Sequence, residues 1–133
     1  MKTLVITLIV TFLALMAVPG FAAEKKKKGK TKGKLVHMVA FKFKPTATKE
    51  QIKEVEDAFL ALKVTIPLIT SYEWGTNVSP EKHDQGYTHA FILKFKTERD
   101  RDDYLVHPQH KKFGQLVGPV LADVFVIDFW TKE

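Results

Sequence analysis

Between Tyr104 and His110 the chain reads Tyr-Leu-Val-His-Pro-Gln-His, which places a phenol and two imidazoles around one proline. An imidazole titrates near neutral pH and can take or return a proton. Together these are the groups that acid-base chemistry needs. Pro108 organises them, because proline disfavours helical backbone at the residue before it and suits the first position of a helix. A helix therefore restarts at Pro108, and His107 caps it or bonds backbone. His110, Phe113, Gly114 and Val117 then share one face at i, i+3, i+4 and i+7, with His110 pointing inward. Tyr104 ends a polar, helix-like stretch opened by Thr97 and Glu98.

Other chemistries find less support. His107 and His110 stand three apart, as two metal ligands on a helix can. However, His107 lies outside the restarted helix and no third ligand is fixed, so neither a metal nor a cofactor is expected. The chain has no cysteine, no Gly-x-Ser-x-Gly elbow and no glycine-rich phosphate loop, which argues against nucleophilic and phosphate chemistry of those kinds. His83, in a polar loop beside Asp84, is expected in solvent. His37 and His89 begin strands on one face, either as partly buried histidines with hydrogen-bond partners or as polar lining of a pocket.

The elements that must hold these groups follow from periodicity. Leu35 to Phe43 alternates as a first strand. Thr48 with Gln51 is a capping-box signature, and Ile52, Val55, Phe59, Leu62 and Ile66 form the apolar stripe of a helix that Pro67 ends. Ser71 to Val78 reads as a second strand, Ser79 to Gly86 as a loop of turn formers, Tyr87 to Lys96 as a third strand and Asp123 to Trp130 as a fourth. The order βαββαβ is the α+β, ferredoxin-like split motif, with two helices on one face of a four-stranded antiparallel sheet.

Residues 1–22 stand apart. Lys2, an apolar run from Leu4 to Val18 and a small-residue boundary ending at Ala22 read as a signal peptide. That run is 15 residues against the roughly 20 a spanning helix needs. An exported protein, periplasmic or secreted, is expected. The formal net charge of +6 sits in the lysines of residues 23–34, a basic linker with too little apolar surface to fold; from Leu35 onward 13 Lys and Arg face 14 Asp and Glu. The arm suits weak contact with anionic surfaces, and nucleic acid is not the expected partner. Residues 35–133 suffice for one small domain, which without cysteine must be stabilised by packing alone.

Both faces of the sheet carry apolar residues. His37, Val39, Phe41 and Phe43 share a face, as do His89, Phe91, Leu93 and Phe95, while Met38, Ala40, Ala90 and Ile92 point the other way. The last strand offers Phe125, Ile127 and Phe129 on one side and Val124, Val126, Asp128 and Trp130 on the other. Two helices cover one face only, so a homodimer joined sheet to sheet is expected.

His37-Met38-Val39 with Phe41-Lys42-Phe43, Trp74-Gly75, Gly86-Tyr87-Thr88-His89, Tyr104 with His107-Pro108-Gln109-His110, and Ile127-Asp128-Phe129 occur in an order and spacing that resemble the stress-responsive α/β-barrel (Dabb) domain family. The resemblance runs from Leu35 to about Trp130 and extends to the family's plant polyketide cyclases of the olivetolic acid cyclase type. It implies a dimeric ferredoxin-like barrel and an intramolecular aldol chemistry in which Tyr104 and His110 are the catalytic pair. His110 would remove an acidic α-proton, Tyr104 would hydrogen-bond the substrate carbonyl, and Asp128 would orient His110. Glu56 departs from the pattern, standing where those cyclases keep an aromatic pocket residue; it suits a different ligand or faces solvent.

Two functions remain in view. One is a pocket between sheet and helices, lined by Val39, Phe41, Phe91 and Phe113 with His37, His89, Tyr104, His110 and Asp128 as polar groups, which binds a small apolar or aromatic carbonyl compound and performs cyclase- or lyase-like chemistry. The other is a non-catalytic, stress-associated homo-oligomer whose polar residues satisfy one another. A cavity of a few hundred Å³ beside His110 favours the first; a mutually bonded histidine network with no void favours the second.

Overall fold

The computed structural model describes residues 33–132. The expected signal segment, residues 1–22, and most of the basic linker, residues 23–34, lie outside the described residues. The elements are β1 (Leu35–Phe43), α1 (Lys49–Thr65), β2 (Ser71–Thr76), β3 (His89–Phe95), α2 (Glu98–Leu105), α3 (Pro108–Val117), a 3-10 turn (Gly118–Val120) and β4 (Leu121–Trp130). One antiparallel sheet runs in the order β2-β3-β1-β4. This is the ferredoxin-like α+β fold.

Local chemistry explains the boundaries. Thr48 and Gln51 form the reciprocal capping box at the start of α1, which satisfies backbone N–H groups that a helix start leaves free. The second helical region is two helices, as the proline implies. The α2 helix starts on Thr97, whose hydroxyl accepts from the Asp100 N–H. The α3 helix starts on His107, whose Nδ1 accepts from the Gln109 N–H at 3.2 Å, with Pro108 in the first turn.

Strands β2 and β3 are shorter than the alternation suggested. The chain between them turns through positive φ at Lys82, Gln85 and Gly86, and the Asn77 and Asp84 side chains accept from the Ser79 and Gly86 N–H groups of that loop. Strand β4 is longer, starting at Leu121, because a register shift between Lys42 and Phe43 lets Phe43 pair with it.

One face of the sheet meets the helices. The Phe41 ring lies 5.8 Å from Phe59 of α1 and 6.3 Å from Phe113 of α3, centroid to centroid. Phe95 lies 5.2 Å from Tyr104 of α2. The buried core is built from these rings with Val39, Val55, Ile66, Ile69, Phe91 and Leu93. On the opposite face Phe125, Ile127 and Phe129 of β4 remain 44–46% exposed.

Candidate active site

Strand pairing brings His37, Val39 and Phe41 of β1 opposite Asp128, Val126 and Val124 of β4. The same residues line a cavity of about 320 Å³. Phe59 of α1, Tyr104 and Leu105 of α2, and His110, Phe113 and Val117 of α3 complete its wall. The wall is mostly apolar, with few polar groups, as small-molecule sites are. A wider hollow of about 470 Å³ runs along β2 and β3, but none of Tyr104, His110 and Asp128 lines it.

His110 Nδ1 lies 3.1 Å from the Leu105 carbonyl. A carbonyl only accepts, so Nδ1 carries the hydrogen and the neutral ring keeps its lone pair on Nε2. Burial pulls the His110 pKa below 6.5; the Leu105 carbonyl opposes this, while His37 and His107 reinforce it. The ring is therefore held as a neutral base. The Tyr104 ring packs against it at a centroid distance of 4.4 Å.

Tyr104 is fully buried and its hydroxyl has no hydrogen-bond partner among the described residues. Burial, followed by the neighbouring Tyr72, raises its pKa well above the ordinary phenol value of 10.0, so it keeps its proton. The structure thus joins Tyr104 to His110 by ring contact while enclosing the phenol oxygen.

Asp128 does not orient His110. Its Oδ1 accepts from His37 Nδ1 at 2.6 Å, and its Oδ2 accepts from Arg101 Nη1. The reason is register: Asp128 pairs with His37 across the β1–β4 ladder, whereas His110 already has a backbone partner. His89 and Phe91 do not line the cavity, because β3 lies on the far side of β1 from β4. Phe91 is core, 4.4 Å from Phe59 and 5.8 Å from Trp74 between centroids. His89 is buried with both nitrogens bonded, Nδ1 to Thr88 Oγ1 at 2.8 Å and Nε2 to Glu56 Oε1 at 3.0 Å. Glu56, the departure on α1, is thereby the partner of His89 rather than a cavity group or a solvent-facing carboxylate. Val39, Phe41, Phe113, His37, Tyr104 and His110 all stand at the cavity.

Arg101 escaped the sequence reading. It lies three residues before Tyr104 on a charged helix, and only the position of β4 reveals that it reaches Asp128. Its Nε also holds Asp102 Oδ1 at 2.7 Å. Among the described residues no group of three or more His, Cys, Asp or Glu side chains could hold a metal ion. His107, the second histidine of the run, spends its Nδ1 on the helix cap.

The model of the stress responsive A/B barrel domain matches residues 35–131. The chain belongs to the Dabb family. Within it, olivetolic acid cyclase of Cannabis sativa is 28% identical over 97 residues, 73% of this chain and 96% of the cyclase. The stress-response A/B barrel domain-containing protein HS1 of Arabidopsis thaliana is 33% identical over 98 residues, 74% of this chain and 90% of HS1. Among solved structures, At3g17210 from Arabidopsis thaliana superposes with a TM-score of 0.71 at 30% identity, covering 74% of this chain and 96% of that one. A protein of Thermobifida fusca, described as dimeric and ferredoxin-like, gives 0.66 at 24% identity, covering 76% and 93%.

The depressed His110 pKa makes this Dabb domain acid-sensitive in a defined direction. The unfolded ring, at its ordinary value of 6.5, takes up a proton more readily than the folded one. Its stability contribution is complete above pH 6.5 and is lost as pH falls through the lower folded value. Urea denaturation of wild type and His110→Gln between about pH 8 and about pH 5 should show a shallower acid loss in the variant. Parallel curves would show that His110 is not held neutral.

Proposed function

We propose that this Dabb protein is an exported homodimer whose cavity takes a small apolar or aromatic carbonyl compound and removes a proton next to the carbonyl, in cyclase- or lyase-like chemistry. The observation that supports this most is the 320 Å³ cavity beside His110, a neutral imidazole whose tautomer is fixed by the Leu105 carbonyl. A structural histidine network would leave no void there. The apolar wall holds the carbon skeleton, while Nε2 accepts the proton. The cyclase among the relatives makes carbon-acid chemistry the first to test. Wild-type protein should accelerate deuterium exchange at the central carbon of acetylacetone, and His110→Ala should lower that rate by about 10²- to 10⁴-fold. Exchange no faster than in buffer would favour the non-catalytic homo-oligomer.

The homodimer reading rests on β4. Among the described residues it is an edge strand, and Phe125, Ile127 and Phe129 form a half-exposed apolar row on the face away from the helices. Edges and rows of this kind are normally covered. A second copy covers them with the same surface, as twofold dimers do. Light scattering should give twice the monomer mass, and Ile127→Glu should weaken the dimer by several kcal/mol because it buries an unpaired carboxylate. A wild-type monomer at micromolar concentration would refute the dimer.

Export rests on the sequence of residues 1–22. The mature chain should begin at Ala23 or Glu24, and its lysines should then give weak, salt-sensitive attachment to anionic vesicles. Amino-terminal sequencing that finds intact Met1 in a soluble cytoplasmic fraction would exclude this.

A further inference from the structure

Three groups at the cavity could exchange protons, and the structure treats them differently. Among the described residues, the enclosed and unpartnered polar side-chain atoms are the hydroxyls of Tyr72 and Tyr104. Among the described residues neither His37 Nε2 nor His110 Nε2 has a hydrogen-bond partner, and both rings line the cavity. The atom expected to meet a substrate oxygen, the Tyr104 hydroxyl, is the one that is sealed.

His37 is also the better anchored. Its Nδ1 donates to Asp128 Oδ1 at 2.6 Å, and the other Asp128 oxygen is held by Arg101, which is four-fifths buried. We infer that the second acid-base group of this cavity is His37 rather than Tyr104, and that Asp128 and Arg101 are its positioning residues. This rests on the carbon-acid reading above and deepens it.

The step balances. His110 Nε2 takes the α-proton, and the C–H electron pair becomes the carbon-carbon double bond of the enol. The carbonyl oxygen receives the Nε2 proton of His37, which enters as imidazolium and leaves neutral, while His110 becomes the imidazolium. The pair carries one positive charge throughout. Asp128 is the counter-charge beside His37, whereas the charged influences on His110 are His37 and His107, both repulsive to a second proton. Around His37 stand Asp128 of β4, which Arg101 of α2 also holds, the Tyr104 ring of α2 at a centroid distance of 5.9 Å, and His110 of α3, whose charge His37 opposes.

On acetylacetone, His37→Gln should then lower kcat by about 10²- to 10⁴-fold with KM little changed, while Tyr104→Phe should leave both near wild type. Asp128→Asn and Arg101→Leu should lower kcat in the presence of His37 and add nothing to the loss in His37→Gln, because they act through that ring. A merely structural contact would lower kcat to the same degree with or without His37. Wild-type kcat in His37→Gln, or full additivity of the other two variants with it, would overturn the inference.

Histidine ring NMR of the ligand-free wild type, Asp128→Asn and Arg101→Leu separates this from the proposed reaction, because it reads the His37 Nδ1–H bond to Asp128 directly. A hydrogen-bonded His37 Nδ1–H signal that both variants displace, without any turnover, would support the positioning of His37 and remove the carbon-acid reading. A signal that neither variant displaces would remove the His37 assignment even from an active enzyme.

Discussion

The Phe41 ring ties the layers together. From the central strand β1 it meets Phe59 of α1, Phe91 of β3 and Phe113 of α3 at centroid distances of 5.8, 5.0 and 6.3 Å. Such ring pairs contribute roughly 0.5–1.5 kcal/mol each beyond the area they bury. They also set how α1 and α3 sit over the sheet. Phe113 of α3 packs on Phe41 of β1 and Phe59 of α1, and the helix does not close over β4. Val124 and Val126 stay half exposed on the helix side, and the cavity is the space left between them and α3. The tight core and the open site follow from one placement.

Much of this was legible in the sequence, for identifiable reasons. Thr48 with Gln51, and Pro108 after His107, are local signals whose physics does not depend on the rest of the chain, and both helix starts lie where they imply. Period-two alternation places the residues of β1, β3 and β4 on the faces they occupy, including the outward row Phe125, Ile127 and Phe129. Alternation cannot say where along a face a residue lies. His37 and His89 share a face but sit on strands at different distances from β4, so one reaches the cavity and the other is bonded by Thr88 and Glu56. Asp128 was assigned to His110 on the strength of resemblance, whereas its partner is decided by the β1–β4 register. Arg101 was illegible because its role exists only once that register is set.

The two histidine-carboxylate pairs show how similar parts serve different ends. His89 gives both ring nitrogens to neighbours, so its pair with Glu56 satisfies buried polar atoms and supports the core. His37, whose ring lines the cavity, gives only one nitrogen to Asp128. Tyr104 shows the opposite condition, a phenol with an apolar setting and no partner, which costs about 1–3 kcal/mol in a buried hydroxyl. In Dabb-domain terms the same residue types are present in the expected order, and they differ in the hydrogen bonds they make.

The break between α2 and α3 has a consequence for the proton on His110. In an unbroken helix the Leu105 carbonyl would be taken by the Gln109 N–H four residues on. Pro108 interrupts that continuity, and the Gln109 N–H turns instead to His107 Nδ1. The Leu105 carbonyl accepts from the His110 ring, and that bond places the hydrogen on Nδ1. The proline thus acts as a tautomer selector: a backbone irregularity two residues upstream decides which ring nitrogen of His110 offers a lone pair.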